Sequence, residues 1–365
     1  MKIGEIGPGP LFGDEGSLGK RIIRRVRGIG LELVAFVAVT VLLPVLIPGA
    51  ALADLYFKLR HGKPAVALRL TLFAWWFLFT EVWALVVLLA IWLASGGPFG
   101  HGSMLRRRGI YWLRPRWARS HLGAIKVLFG LRFEIEGLEV ASPGPVIVMI
   151  RHASIIDNML PDTTIALERG MGLRYVIKRE LEALPVIDIG GRWVSTNFIN
   201  RASGDAAAEI ARLIRLTEDL GPAEGILIYP EGTRATAKKI ARAKQIIRER
   251  QPEIAPLADQ MQNLLPPRLT GPMALLEQAP DLDVIFCGHV GFDGFEYVSD
   301  IWAGGLNGAV IRVKLWRVPA AEIPGDERGR IEWLYEHWLD LDRWVGSQRA
   351  ELGGSATSGK VGSGS

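Results

Sequence analysis

The chain has 365 residues, enough for one large domain with an appendage or for two domains. It is 49% apolar, and its mean hydropathy of +0.21 is high for a purely water-soluble protein, so part of its apolar surface is expected to meet lipid. The net charge of +5 points to an anionic partner, and basic residues crowd beside the apolar runs with no zinc-finger spacing or aromatic–basic RNA motif, so a membrane is favoured over nucleic acid; the single cysteine excludes an internal disulfide.

In chain order, residues 1–28 form a basic N-terminal segment, with Lys20, Arg21, Arg24, Arg25 and Arg27 gathered before the first apolar run. Residues 29–98 read as a membrane hairpin, transmembrane or re-entrant. Its first run, about 29–47, IGLELVAFVAVTVLLPVLI, is roughly long enough to cross a hydrocarbon core of ~30 Å. Its second, about 70–94, LTLFAWWFLFTEVWALVVLLAIWLA, carries one charge, Glu81. A carboxylate is costly in lipid, so Glu81 should face a neighbouring helix, hold a proton or meet water. Arg106, Arg107, Arg108, Arg114, Arg116 and Arg119 follow the second run. These outer flanks are more basic than the loop with Lys58, Arg60 and Lys63, which places both hairpin ends, and the catalytic domain, on the cytoplasmic side of the membrane. Pro44 keeps the re-entrant arrangement open. The stretch AALAD resembles a signal-peptidase site, but the basic residues begin only near position 20 and the apolar run is long for a cleaved signal.

Residues 99–350 read as an α/β domain, a mixed sheet covered by helices. RFEIEGLEV alternates as a strand does, VIVMI and GILIY are continuous apolar strands, and LRYVI and WVSTNFI add two more. GDAAAEIARLIRLTEDLG has Asp205 as a cap, Ile210, Leu213, Ile214 and Leu220 at helical spacing, and Gly221 as a stop. DVIFCGHV and AVIRVKLWRV form a late strand pair before a helix near RIEWLYEHWLDLDRWV. Cys287, inside DVIFCGHV, fits a small core residue. The tail, 351–365, is expected to be disordered. Its GSATSGKV nearly matches a phosphate-binding loop, but no strand precedes it and valine stands where magnesium needs a hydroxyl. The chain has no internal repeat, no G-x-S-x-G elbow, no HExxH and no Cys/His cluster.

The chemistry gathers at strand exits. VIVMIRHASIID ends an apolar strand on Arg151, His152 and Asp157. Five residues apart, His152 and Asp157 would lie about 140° apart on a regular helix. A strand exit turning into a helix can instead bring the carboxylate under the imidazole, fix its tautomer and leave the other nitrogen to take a proton from a hydroxyl. Alone, the pair is more simply a surface histidine beside a capping aspartate. It is not alone, because Asn200-Arg201 follows WVSTNFI and Pro230-Glu231-Gly232-Thr233-Arg234 follows GILIY, both again at strand exits, where open α/β sheets collect ligands. Gly232 permits close backbone approach, and Arg201 and Arg234 can fork onto phosphate.

The blocks RHASIID, STNFINR, YPEGTR and LLPPRLTG, in this order, resemble those of the glycerolipid acyltransferases of the 1-acylglycerol-3-phosphate acyltransferase family, over roughly residues 120–325. The resemblance implies a membrane-bound O-acyltransferase with His152 as general base and Asp157 as its partner. It implies that Arg201, Glu231, Gly232, Thr233 and Arg234 hold the acceptor glycerophosphate, with Pro266 in the fourth block and Lys178 adding positive charge. It implies an acyl thioester donor, acyl-CoA or acyl carrier protein, as co-substrate, with no metal, no other cofactor and no covalent enzyme intermediate. The partners are then membrane lipid, a lysophospholipid acceptor and the donor, with no nucleic acid. The leading acceptor is 1-acylglycerol-3-phosphate, giving phosphatidic acid; another lysophospholipid or a glycolipid is the alternative, as is a non-catalytic lipid-binding protein of the same fold. Arg151, Ser195 and Tyr229 stand where the family has asparagine, glycine and phenylalanine. Arg151 is expected either to disfavour an imidazolium or to contact a substrate phosphate.

Overall fold

The computed structural model describes residues 5–13, 16–62, 64–154, 156–199, 205–293, 302 and 305–361, with side chains as far as 353. Among them the organising element is a seven-stranded mixed sheet of order β1-β7-β6-β2-β5-β3-β4. Its strands are β1 (Arg132–Glu136), β2 (Val146–Ile150), β3 (Gly172–Lys178), β4 (Thr196–Ile199), β5 (Glu224–Ile228), β6 (Asp283–Val290) and β7 (Val310–Val318). Strands β2 to β6 are parallel, while β7 runs antiparallel to β6 and parallel to β1. The five parallel strands therefore deliver their C-terminal ends to one edge.

β2 is apolar throughout because both of its faces are covered. Val146, Val148 and Ile150 enter one core with Ile125 and Phe129; Ile147 and Met149 enter the other with Leu275, Leu334 and Trp338. The first core lies under α3 (Met104–Phe129). A short α4 (Pro185–Gly191) connects β3 to β4. The second core lies under α5 (Ala206–Ile214), α7 (Ala255–Gln260), α8 (Thr270–Gln278) and α9 (Glu327–Val361); α6 (Ala237–Arg250) precedes α7.

Two expectations are corrected here. The helix expected to reach Gly221 stops at Ile214, although Asp205 caps it as anticipated, accepting from Ala208 N at 3.0 Å. Arg174, fully buried in β3, claims the carbonyls of Leu216, Glu218 and Asp219, and a chain that continued as helix could not offer them. The tail expected to be disordered from 351 continues α9 to Val361. Arg312 holds Gln348 and Glu351 at 2.7 and 2.6 Å, and Leu352 packs against the second core.

The six arginines after the second apolar run all lie on α3, and three of them turn inward. Arg106 donates to Ser95 and Gly97, Arg107 to Ser195 and Gly9, and Arg114 to Asp162 and the Leu173 carbonyl. Before α3 come α1 (Leu18–His61) and α2 (Ala67–Ala94), both long and apolar enough to cross a membrane by composition. α1 is about 66 Å long at 1.5 Å per residue, and its basic start is tied to the domain by Arg24 and Arg25 on Asp188 at 2.9 Å each. Asp54 caps α2 by accepting from Val66, Ala67 and Leu68 N at 2.8–2.9 Å. α2 then runs along α3: Trp76 Nε1 donates to Ser120 Oγ at 3.1 Å, Trp117 Nε1 to Glu81 Oε1 at 2.7 Å, and Gly109 passes close under Ile91. Glu81 thus faces a neighbouring helix, one of the outcomes expected for it.

A buried carboxylate pins the opposite edge of the sheet. Glu224 accepts from Arg174, the Tyr111 hydroxyl, Gly7 N and Gly221 N, joining β3, β5, α3 and the N-terminal segment. Glu224→Ala should destabilise the protein by about 3–5 kcal/mol, because Arg174 would be left as an uncompensated buried charge. Denaturant unfolding of the purified protein measures this, and a loss under about 1 kcal/mol would show that the pair pins nothing.

Candidate active site

At the exit of β2 the chain closes on its own carboxylate. Asp157 is fully buried and accepts from Ala153 N at 2.6 Å, Ser154 N at 2.7 Å and His152 Nδ1 at 3.1 Å. The spacing of five works because residues 151–154 are not helical and Asp157 opens a 3₁₀ turn, Asp157–Met159. With Asp157 ionised, Nδ1 carries the ring hydrogen, which leaves Nε2 as the nitrogen able to take a proton. The imidazole keeps 15% of its surface exposed.

β5 ends beside it. Glu231, only 2% exposed, accepts from His152 N at 2.9 Å and from Leu265 N at 3.2 Å. Burial pushes its carboxyl up to about 7, against the pull of Arg151 and both N–H bonds. Glu231 forms a tie: its two oxygens join the β2 exit to the block containing the buried Pro266. Gly232 has φ +66°, where an L side chain is strained, and a Cβ there would press on Arg268. Its N–H donates to Tyr229 O at 2.9 Å, closing the turn. Thr233 and Arg234 follow, half-buried, with Lys239 of α6 donating to Thr233 Oγ1 at 3.3 Å and to Arg234 O at 2.9 Å. Lys178 is exposed at the end of β3. Arg201 lies outside the described residues.

Arg151 does not turn outward. Its guanidinium, 1% exposed, turns inward to the His289 carbonyl and the Asp293 carboxylate, so it presents no donor fork to a substrate phosphate. Burial pushes Asp293 up, but Arg151 and Arg349 outweigh it and hold the carboxyl below its ordinary range. Arg349, from α9, reaches Asp293 Oδ1 at 2.7 Å, tying the last helix to the site.

His289 and Arg268 escaped sequence reasoning, which marks Tyr229 only as a departure from the family pattern. His289, fully buried in β6, places Nε2 3.0 Å from Arg151 O and 3.5 Å from Asp157 Oδ2. Burial, opposed by Asp157, lowers its pKa. Tyr229 sets its ring 4.7 Å from that of His152. It also lines a cavity of about 460 Å³ beyond the ends of β3, β4 and β5, together with Asn197, Ile199, Gly232 and Arg268. The strand pattern gave no hint of His289, which is spelled like any core position, but Tyr229 and Arg268 lie inside the quoted blocks. Cys287 is buried as expected, and burial pushes its thiol up to about 12. Among the described residues no group of three or more His, Cys, Asp or Glu side chains gathers to hold a metal ion.

Residues 132–258 match the family model described as Acyltransferase. Over that segment the chain is similar to the acyltransferase family, as the motifs led one to expect, and the match includes His152, Asp157 and the loop to Arg234. Among solved structures the chain is similar to the 1-acyl-sn-glycerophosphate (LPA) acyltransferase PlsC of Thermotoga maritima, with 14% identity and a TM-score of 0.41 over 74% of this chain and 98% of that one. No curated protein matches the chain.

The Glu231 tie makes a testable demand. Glu231→Gln keeps the size but turns an amide NH2 toward one of two backbone N–H groups. It should cost about 1–3 kcal/mol of stability and reduce turnover, as a thermal melt and a rate assay on one preparation would show. Wild-type values for both would mean that the tie does not position His152.

Proposed function

We propose that this chain is a membrane-bound O-acyltransferase that moves a fatty acyl group from an acyl thioester to a lysophospholipid. The acceptor we favour is 1-acylglycerol-3-phosphate, with phosphatidic acid as product and acyl-CoA or acyl carrier protein as donor. The observation that carries this reading is the His152–Asp157 pair, held by a buried carboxylate inside the segment that matches the acyltransferase family. In the proposed reaction His152 Nε2 takes the proton of the acceptor hydroxyl as its oxygen attacks the thioester carbonyl. Asp157 stabilises the resulting imidazolium. The tetrahedral intermediate collapses to the ester, the C–S bond breaks, and the imidazolium returns its proton to the leaving thiolate. A lipid-binding protein without catalysis would have no use for this pair.

Phosphate reading falls to cations around the same edge. Arg234 lies two residues after Gly232, Lys178 ends β3, and Arg268 lines the cavity; Arg201, outside the described residues, is included on the resemblance alone. The hairpin supports membrane binding and also bears on its depth. α2 shares one side with α3, which lies on the sheet, so α2 is not ringed by acyl chains. We therefore read the hairpin as embedded in one leaflet, with the domain on the cytoplasmic face.

His152→Ala should lower turnover by about 10²–10⁴ while the protein stays folded. Asp157→Asn should also reduce it, by disturbing the imidazole tautomer. The test is acyl transfer to a panel of lyso-acceptors, with products identified by mass spectrometry; near-normal rates in folded His152→Ala protein would remove the base assignment.

Arg234→Lys keeps the charge and loses the planar fork, so kcat/KM for a phosphorylated acceptor should fall, and fall further in Arg234→Ala. A monoacylglycerol, which has no phosphate, should be used almost equally by all three proteins. A wild-type preference for the phosphorylated acceptor in Arg234→Ala would show that this arginine does not read phosphate.

A further inference from the structure

α3 has a side that neither the sheet nor the hairpin covers. Leu105, Arg108, Trp112, Arg116, Arg119 and Val127 fall within an arc of about 100° when each residue turns the helix by 100°. Leu105, Trp112 and Val127 are 49%, 39% and 80% exposed, and the Arg119 side chain is 66% exposed. Arg116 stacks over Trp112 at 4.5 Å and donates to its carbonyl at 2.8 Å, holding a cation and an indole together at the surface. Lys126 adds a further exposed cation at the far end. Facing this row, the described residues supply one carboxylate, Glu168, at 3.5 Å from Arg119. The inward arginines of the same helix are explained by the hydrogen bonds they make in folding. The outward ones are not.

The partner follows from what the neighbouring helix exposes. α2, packed along α3, exposes Trp83, Val86, Leu89 and Leu93. A nucleic acid could neutralise the arginines but would leave that apolar row in water. A bilayer satisfies both, with arginine and tryptophan at headgroup depth and the aliphatic row among acyl chains. We propose that the exposed stripe of α3 docks onto the headgroups of anionic phospholipids, so that α3 lies at the membrane surface while α1 and α2 lie in the leaflet. This rests on the hairpin being membrane-inserted, not on the reaction the enzyme catalyses. It adds a charge-dependent contact that the hairpin does not supply. Because α3 runs toward the edge where β1 begins, the stripe ends, at Lys126 and Val127, on the same edge of the sheet as His152.

The test compares full-length wild-type protein with an Arg108→Gln/Arg116→Gln/Arg119→Gln variant. Flotation measures partitioning from detergent onto vesicles of phosphatidylcholine alone or with phosphatidylglycerol. At about fivefold per cation, wild type should favour the anionic vesicles by roughly 10²-fold at low salt, and the variant should approach parity. Both proteins should still float on neutral vesicles, melt alike and turn over detergent-dispersed substrate alike. Since the one native cysteine is buried, a nitroxide on Trp112→Cys reports depth, and it should be shielded from a water-soluble relaxant in anionic vesicles. An unchanged preference in the variant, or a nitroxide fully open to water, overturns the proposal, as does an oligonucleotide that displaces wild type from anionic vesicles. Failure of both proteins to float on any vesicle would instead sink the hairpin reading beneath it.

Discussion

A carboxylate with no access to water must be surrounded by donors, and Asp157 imposes that demand on the exit of β2. Two backbone N–H groups and an imidazole meet it. A helix continuing from β2 could not have turned those N–H groups inward, so the chain stays irregular from 151 to 154 before its first turn. The histidine that results is held on one nitrogen and open on the other. Removing the burial would free the carboxylate to be solvated, and the imidazole would lose its fixed orientation. The geometry of the pair follows from a solvation requirement.

Glu231 extends the same logic across the sheet. It hydrogen-bonds the main chain of His152 on one side and of Leu265 on the other, so the exits of β2 and β5 and the proline block move as one body. Around it, Arg151, Asp293 and Arg349 form a second chain of charge that reaches α9. Burying Asp157 and Glu231 and partly burying Asp293 around the site would be costly if any lacked a partner. Each has one, and the departure at Arg151 is part of that compensation: the cation that faces away from substrate balances Asp293 and draws on Glu231.

The membrane elements belong to the same construction. The sheet carries α3, α3 carries α2, and α2 carries α1, which returns to the domain through Arg24, Arg25 and Asp188. A hairpin fastened at several levels cannot swing freely, so its position relative to the strand exits is set by the fold. Under the proposed function, with acceptor and product both in the bilayer, a fixed depth would shorten the search for a productive geometry.

The sequence by itself determined the fold class, the strands, and the residues that collect at strand exits, because those signals are local. An apolar run of five residues covered on both faces, a glycine in a tight turn and an aspartate at a helix start are each legible without their neighbours. It also determined His152 and Asp157 as a pair, since their loop closes on itself within six residues. Tertiary structure decided the rest. Arg106, Arg107 and Arg114 share a spelling with Arg108, Arg116 and Arg119, and only the position of the sheet separates cations that hold the fold from cations at its surface. Glu231 and Arg151 acquired their roles from residues 34 and 142 positions away, and His289 became a neighbour of Asp157 only when β6 was laid beside β2. Such roles depend on which surfaces a buried charge meets across the sheet, a contact that chain order does not encode.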